Sequence, residues 1–380
     1  MEEKKRSPGQ RLAMGALSTA VTAICLALVA MILCSLLLTR PAAAAADNPG
    51  SKQLMDRFDR HMTNRLSDSL EGIASIEKVY WLDDHDIIAP EPDPAKFGTA
   101  TDPKELEALI EAAQPLLEGQ SLSFTTDTRI FPGSEIIYYL DETILSITWK
   151  ELRGGACYTF SEVKVKHPSQ IRRFLADDTY GSDKQYYGSD MARSVNAVTG
   201  SNGDFYKFRS FGFVTYYGKV YRSDSWLDTC FVDDKGDLLM VPRLTFRNVE
   251  EAQAFVDENN VRFSLAFGPI LVQDGKLVVP DEYACGEIKG NYTRAAIAQL
   301  GNLHYMLSVT SYEGPTLGMP TSRDFAQVLI TKGCVSAYSL DGGQTAMLIT
   351  NDQVVNRINF DQERTVSDII YFATAVPSGG

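Results

Sequence analysis

Three short segments of this 380-residue chain combine glycines with groups able to do chemistry: Ser201 to Tyr206, Asn291 to Ile297, and Leu340 to Thr345. The first carries Asn202, Gly203 and Asp204 beside aromatics. The second puts Arg294 at the mouth of an apolar run, and the third reads Asp341, Gly342, Gly343 at the end of one. Glycine lets backbone approach a ligand closely and leaves its amide accessible, so a carboxylate beside glycines can face an open site rather than a packed wall. Each segment also has an ordinary reading. Asn-Gly and Asp-Gly pairs are common hairpin turns, and an arginine at a strand mouth is commonly a surface ion pair.

The elements that must position these groups are mostly short and β-rich. Strands are expected over Ile136 to Leu140, Ile144 to Trp149, Tyr158 to Val165, Leu303 to Thr310 and Val335 to Leu340, with β structure resuming over Thr345 to Ile349. Asp274-Gly275 supplies the positive-φ pair of a tight hairpin within Ile270 to Val279. Helices are expected from Asp102 to Pro115, over Pro168 to Ala176 (Ile171, Phe174 and Leu175 on one side) and over Val249 to Val256. A fourth begins at Thr321, where Asp324 completes a capping box, and closes at Gly333. Helices interspersed among strands indicate a single α+β domain with a mixed sheet, over residues 121–380. His304, inside an expected strand, reads as a sheet residue.

Upstream, Leu12 to Thr39 is a run of 28 residues without a charged side chain, longer than the roughly 20 a helix needs to cross hydrocarbon. Lys4, Lys5, Arg6 and Arg11 precede it, which predicts residues 1–11 as a cytoplasmic tail, 12–39 as a transmembrane anchor and the remainder as extracytoplasmic. Cleavage of a signal peptide near Ala46 is the alternative, and it exports the same chain. Residues 40–120 read as stalk and linker. Leu54, Phe58, Met62, Leu66 and Leu70 recur at fours as one helical stripe, and the prolines from Ala89 to Ala95 form an extended spacer.

Hydrophobic residues make up 44% of the chain and charged ones 22%, an ordinary globular balance. A net charge of −13 argues against nucleic acid or an anionic lipid face as partner. Outside the anchor lie Cys157, Cys230, Cys285 and Cys334, none in a C-x-x-C pair. Export permits one or two disulfides, and four buried thiols are the equal alternative. No spacing demands a metal, and no cofactor is expected, although Asp204, Asp341 and nearby carbonyls could form a hard oxygen site for calcium or magnesium.

In order and combination these segments resemble the phosphodiester glycosidase family over roughly Thr143 to Ala373. Ser201 to Tyr206 matches the family's N-G-D/G-F/Y element, and Phe267 to Lys276 its F-G-P-x-L hairpin. Thr293 to Ile297 matches R-T-A-I-G, Gly318-Met319 leads the late helix, and Leu340 to Gly343 matches L-D-G-G-G-S. The chain departs from the pattern at Ala298, at Gln344 and Thr345, and where Ser311-Tyr312-Glu313-Gly314 stands in place of D-G-R.

The resemblance implies hydrolysis of the bond between an anomeric carbon and the phosphate of a sugar-1-phosphodiester, in cell-surface glycans or exopolysaccharide. It casts Asp204 and Asp341 as acid and base, and Arg294 as the phosphate-binding fork. Asn202, Gly203, Glu313, Gly342, Gly343 and Thr345 then line the substrate, with Asn202 and Thr345 holding sugar hydroxyls or orienting the carboxylates. The competing expectation is a non-catalytic protein that binds or assembles an anionic polysaccharide. Catalysis requires Asp204, Asp341 and Arg294 to converge in one cleft, and binding alone does not.

Overall fold

A computed structural model describes Leu82 and residues 88–284, 288–313 and 317–376. The chain divides into two compact units, Met1–Arg60 and His61–Gly380, and the first lies outside the described residues, as do the expected anchor and the Leu54 to Leu70 helix. Among the described residues no helix is long and apolar enough to cross a membrane.

The largest sheet has nine strands. Their spatial order is β1 (Phe97–Ala100), β2 (Ile136–Leu140), β3 (Ile144–Arg153), β4 (Ala156–Val165), β16 (His304–Ser311), β15 (Ala295–Gly301), β17 (Ser336–Leu340), β13 (Ile270–Gln273) and β14 (Lys276–Leu277). A five-stranded sheet runs β11 (Leu238–Val241), β10 (Thr229–Val232), β12 (Phe263–Leu265), β8 (Val214–Tyr216), β9 (Lys219–Arg222). Another runs β19 (Gln353–Val354), β18 (Leu348–Thr350), β7 (Ala197–Asn202), β21 (Asp368–Ala373), β5 (Ile171–Leu175), and β20 (Thr365–Val366) pairs with β6 (Tyr186–Tyr187) alone.

The middle of the nine-stranded sheet is apolar on both faces, because both faces are covered. Ile144, Val163, Val165, Ile297 and Leu307 meet the two five-stranded sheets. Leu145, Ile147, Trp149, Phe160 and Met306 meet the helical side, where Phe325, Ala326 and Leu329 recur at helical spacing. Hydroxyls form a seam between the layers: Thr148 Oγ1 is 3.1 Å from Thr350 Oγ1, and Ser161 Oγ is 3.1 Å from Thr199 Oγ1. That seam fixes β7, and so Asn202 at its end, against the large sheet.

The helices are α1 (Glu107–Ala112), α2 (Gln114–Leu117), α3 (Gly188–Ser194), α4 (Val249–Glu258) and α5 (Ser322–Thr331). The expected helices from Val249 and Thr321 form. Asn248 Oδ1 accepts from Glu251 N at 2.8 Å, and Thr321 with Asp324 makes a capping box. The Asp274-Gly275 hairpin also forms, with φ of 52° and 69°. His304 is a sheet residue, its Nε2 2.9 Å from Glu162 Oε1.

Four expectations are corrected. Pro168–Gln170 is a short 3-10 turn capped by His167, and Ile171–Leu175 is strand, not helix. Its apolar spacing fits either period, and pairing with β21 together with burial of Arg172 and Arg173 selects the strand. Pro115 sits in the first turn of α2 rather than ending α1. Where a mixed sheet was expected, every described strand pair is antiparallel. Part of the expected linker is folded into the domain: β1 pairs with β2, Leu106, Leu116 and Leu117 join the core, and Ala89 of the proline-rich spacer is buried.

Among the described cysteines, Cys157, Cys230 and Cys334 are free thiols buried apart in the core, and Cys285 lies outside the described residues. Burial, reinforced by Glu313, pushes the Cys157 thiol up to about 12.

Candidate active site

The site is built where β7 and β17, strands of different sheets, end side by side. Asn202 closes β7, and its side chain is a clamp. Its Nδ2 donates to the Asp341 carbonyl at 2.8 Å, while its Oδ1 accepts from Met347 N at 3.1 Å. Asp341 N donates to the Gly203 carbonyl at 3.1 Å, so each strand end holds the other. Of the two roles expected for Asn202, the geometry fits orientation of the Asp341 segment.

Two glycines are required by close approach. A Cβ on Gly203 would lie 1.8 Å from Asp368 Oδ2, and one on Gly342 would lie 2.6 Å from the Thr293 carbonyl. The turn after Asp341 is further tied to Thr293: Gly343 N donates to the Thr293 carbonyl at 3.1 Å, and Thr293 Oγ1 donates to the Gly343 carbonyl at 2.8 Å. The residue beside Arg294 therefore fixes the Asp341 turn.

A cleft opens at this junction, its empty space of about 260 Å³ continuous with open solvent. Asn202, Gly203, Phe205, Phe208, Asp341 and Thr345 line one part, and Arg364 to Asp368 line the rest. Asp341 is only partly open to solvent. Burial pushes its carboxyl up to about 6, against the smaller opposing pull of the Thr345 hydroxyl and the Arg209 and Arg364 guanidiniums. Thr345 Oγ1 stands 2.8 Å from Asp341 Oδ2 and 2.7 Å from the Gly342 carbonyl, and its one proton serves one of them at a time. Arg364 is exposed, and no hydrogen bond or ion pair holds its guanidinium among the described residues.

Asp204 is placed differently. It is fully buried, and its carboxylate accepts from Arg173 Nη2 at 2.8 Å, Tyr206 N at 2.9 Å and Ala266 N at 2.7 Å. Arg173 also donates to Asp368 Oδ2, from Nε at 2.9 Å and Nη2 at 2.7 Å. One buried guanidinium thus bridges two carboxylates, of which Asp368 reaches the cleft. Burial, together with the neighbouring Asp204 charge, pushes the Asp368 carboxyl up despite Arg173.

Arg294 and Glu313 also stand away from the cleft lining. Arg294 is buried, donating to the Gly290 carbonyl at 2.6 Å and the Pro320 carbonyl at 3.4 Å, which ties two loops together. Glu313 pairs with Lys150 Nζ at 3.0 Å and accepts from Ser311 Oγ at 2.9 Å and Arg357 N at 3.1 Å. Burial opposes ionisation of Glu313, but Lys150, the Arg357 amide and the Ser311 hydroxyl together hold the carboxyl below its ordinary range.

The expected trio of Asp204, Asp341 and Arg294 is accordingly not assembled in one cleft, and Asp341, Asp368 and Arg364 stand together instead. Sequence reading missed Arg173, Asp368 and Arg364. A signal existed for the first, since Arg172-Arg173 inside the run Ile171 to Leu175 is a pair of charges within an apolar strand. Arg364, in the polar run Asp361 to Arg364, carried none. No cluster of three or more His, Cys, Asp or Glu side chains that could hold a metal ion occurs among the described residues.

The family model for phosphodiester glycosidases matches residues 195–373, which contains every group just placed in the cleft. The SPbeta prophage-derived uncharacterized protein YomE of Bacillus subtilis (strain 168) is 24% identical over 184 residues, 47% of this chain. The match spans 28% of that relative's length. The zebrafish N-acetylglucosamine-1-phosphodiester alpha-N-acetylglucosaminidase catalytic domain, auto-inhibited by pro-peptide, superposes with a TM-score of 0.49 and 13% identity, covering 68% of this chain and 92% of that one. A hypothetical protein from Synechocystis gives 0.44 and 14%, covering 65% of this chain and 64% of that one.

Proposed function

We propose, from the phosphodiester glycosidase match over residues 195–373, that this chain hydrolyses the bond between a sugar's anomeric carbon and the phosphate of a phosphodiester. One observation carries the reading: Asp341, its carboxyl raised to about 6, faces a cleft that Arg364 also lines. A carboxyl titrating near the working pH is suited to proton transfer, and an exposed guanidinium is suited to two phosphate oxygens.

In this reading Arg364 holds the phosphate, and Asp341 as carboxylate takes a proton from the attacking water. The water oxygen bonds to the anomeric carbon while the bond from that carbon to the phosphate oxygen breaks, and its electron pair leaves with the phosphate monoester. That leaving group departs as a stable anion, so the base is the more valuable catalyst. Arg173 and Asp204 act at one remove, as positioning residues for Asp368. Cell-surface glycan or exopolysaccharide is the substrate context of the proposal, with residues 12–39 as the membrane anchor and the domain extracytoplasmic.

The withdrawal of Asp204 and Arg294 from the cleft favours a second reading, a non-catalytic protein that binds an anionic polysaccharide. Release of free N-acetylglucosamine from an N-acetylglucosamine-1-phosphodiester by the full chain in detergent separates the two. Turnover is expected, and Asp341→Asn should lose roughly 10³-fold of it while folding normally. Silence across a panel of sugar phosphodiesters, with polymer binding retained, establishes the second reading instead.

A further inference from the structure

Phe205 and Phe208 are the aromatic part of the cleft lining. Their rings stack with centroids 4.4 Å apart and planes 18° from parallel. Phe208 is 42% exposed, although burial is the usual return on an aromatic ring. Phe205 holds φ at +67°, a region that non-glycine residues adopt at a cost. The surrounding backbone is fixed: Arg209 donates to the Ala266 carbonyl at 2.7 Å and to the Asp204 carbonyl, and Arg222 Nη1 donates to the Tyr206 carbonyl at 3.1 Å. An exposed Phe208 stacked on a half-buried Phe205 whose own backbone is strained, beside an acid, is poorly explained by packing alone.

A pyranose ring presents one face of C–H groups, and the negative face of an aromatic ring attracts them while removing apolar surface from water. We infer that Phe205 and Phe208 are the platform for the apolar face of the sugar, with Phe208 the ring in direct contact and Phe205 its rigid backing. The assignment rests on the proposed sugar-phosphodiester reading and names the part of the cleft that selects the sugar. Arg364 and Asp341 supply the charged side of the same cleft, and the Arg209 guanidinium lies over the Phe205 ring, 5.7 Å from its centroid, which leaves Phe208 as the exposed ring.

Saturation-transfer NMR on the full chain in detergent, with N-acetylglucosamine 1-phosphate as probe, tests the platform without requiring turnover. Irradiation of aromatic protons is expected to saturate the sugar ring C–H protons. Phe208→Ala should weaken binding about tenfold and Phe208→Tyr should keep it, since the exposed position tolerates both without loss of the fold. Equal transfer in Phe208→Ala, or transfer to the N-acetyl methyl alone, overturns the platform. The hydrolase reading fails separately: ring saturation that depends on Phe208, in a protein that releases no sugar from any phosphodiester, leaves the platform standing and removes the catalyst.

Discussion

Asp204 and Asp341 are the same residue type beside glycine in two turns that neighbour each other across the junction of two sheets, yet they have opposite surroundings. Asp204 is inaccessible to solvent and takes three donors on its carboxylate, one of them a guanidinium. Asp341 opens on a cleft, has one hydroxyl beside its carboxylate, and is pushed up to about 6. The number of donors and the access of water, rather than the motif, separate a residue that builds a site from one that can act in it.

The contrast can be broken most severely at Arg173. Arg173→Met leaves Asp204 and Asp368 facing each other without a cation, and removing one partner of a buried charge set costs about 3–5 kcal/mol. Chemical denaturation should show that loss, and a midpoint unchanged from wild type would mean the network is not what holds β5, β7 and β21 at the cleft.

Titration of Asp341 gives an effect of up to about 3 kcal/mol, from a rise of roughly two units above the ordinary value of 3.8. The folded chain holds this proton more tightly than the unfolded chain. The group's stabilising contribution is therefore complete below about pH 4 and is lost as pH rises to about 6. Asp341→Asn should flatten the stability curve across that window. Hydrolysis with Asp341 as base runs the other way, kcat/KM climbing as pH passes about 6, and a profile that instead falls there would reassign Asp341 as the acid.

The smallest effect separates the two arginines. Arg364→Ala should raise KM for a phosphodiester about tenfold with little change in stability, because its guanidinium is exposed in the cleft. Arg294→Ala should leave KM alone and lower stability, since it releases two carbonyls that Arg294 now satisfies. Steady-state kinetics beside thermal melts of both variants would show an exchange of these outcomes if Arg294 were the phosphate ligand.

Much of the framework was legible before any coordinates. The Asp274-Gly275 hairpin and the helices from Asn248 and Thr321 are set by local chemistry, in which a turn needs positive φ and an orphan amide needs a cap. The strand at Ile171–Leu175 was not legible, because five residues of apolar spacing fit two periods until a partner strand and a buried ion network choose one.

The site divides along the same line. Residue types and order alone marked Asn202 to Asp204, Thr293-Arg294 and Asp341 to Gly343 as exceptional, and each of these segments does meet at one junction of the fold. Tertiary structure decided which side chains face the cleft. Asp368 and Arg364 follow Asp204 by more than 150 residues, and Arg173 precedes it by 31, so only the pairing of β7 with β21 and β21 with β5 brings them together. Local sequence fixes backbone geometry over a few residues. Burial and charge pairing are properties of everything that packs around a group, and those set which carboxylate is buried in an ion network and which is left to face the cleft.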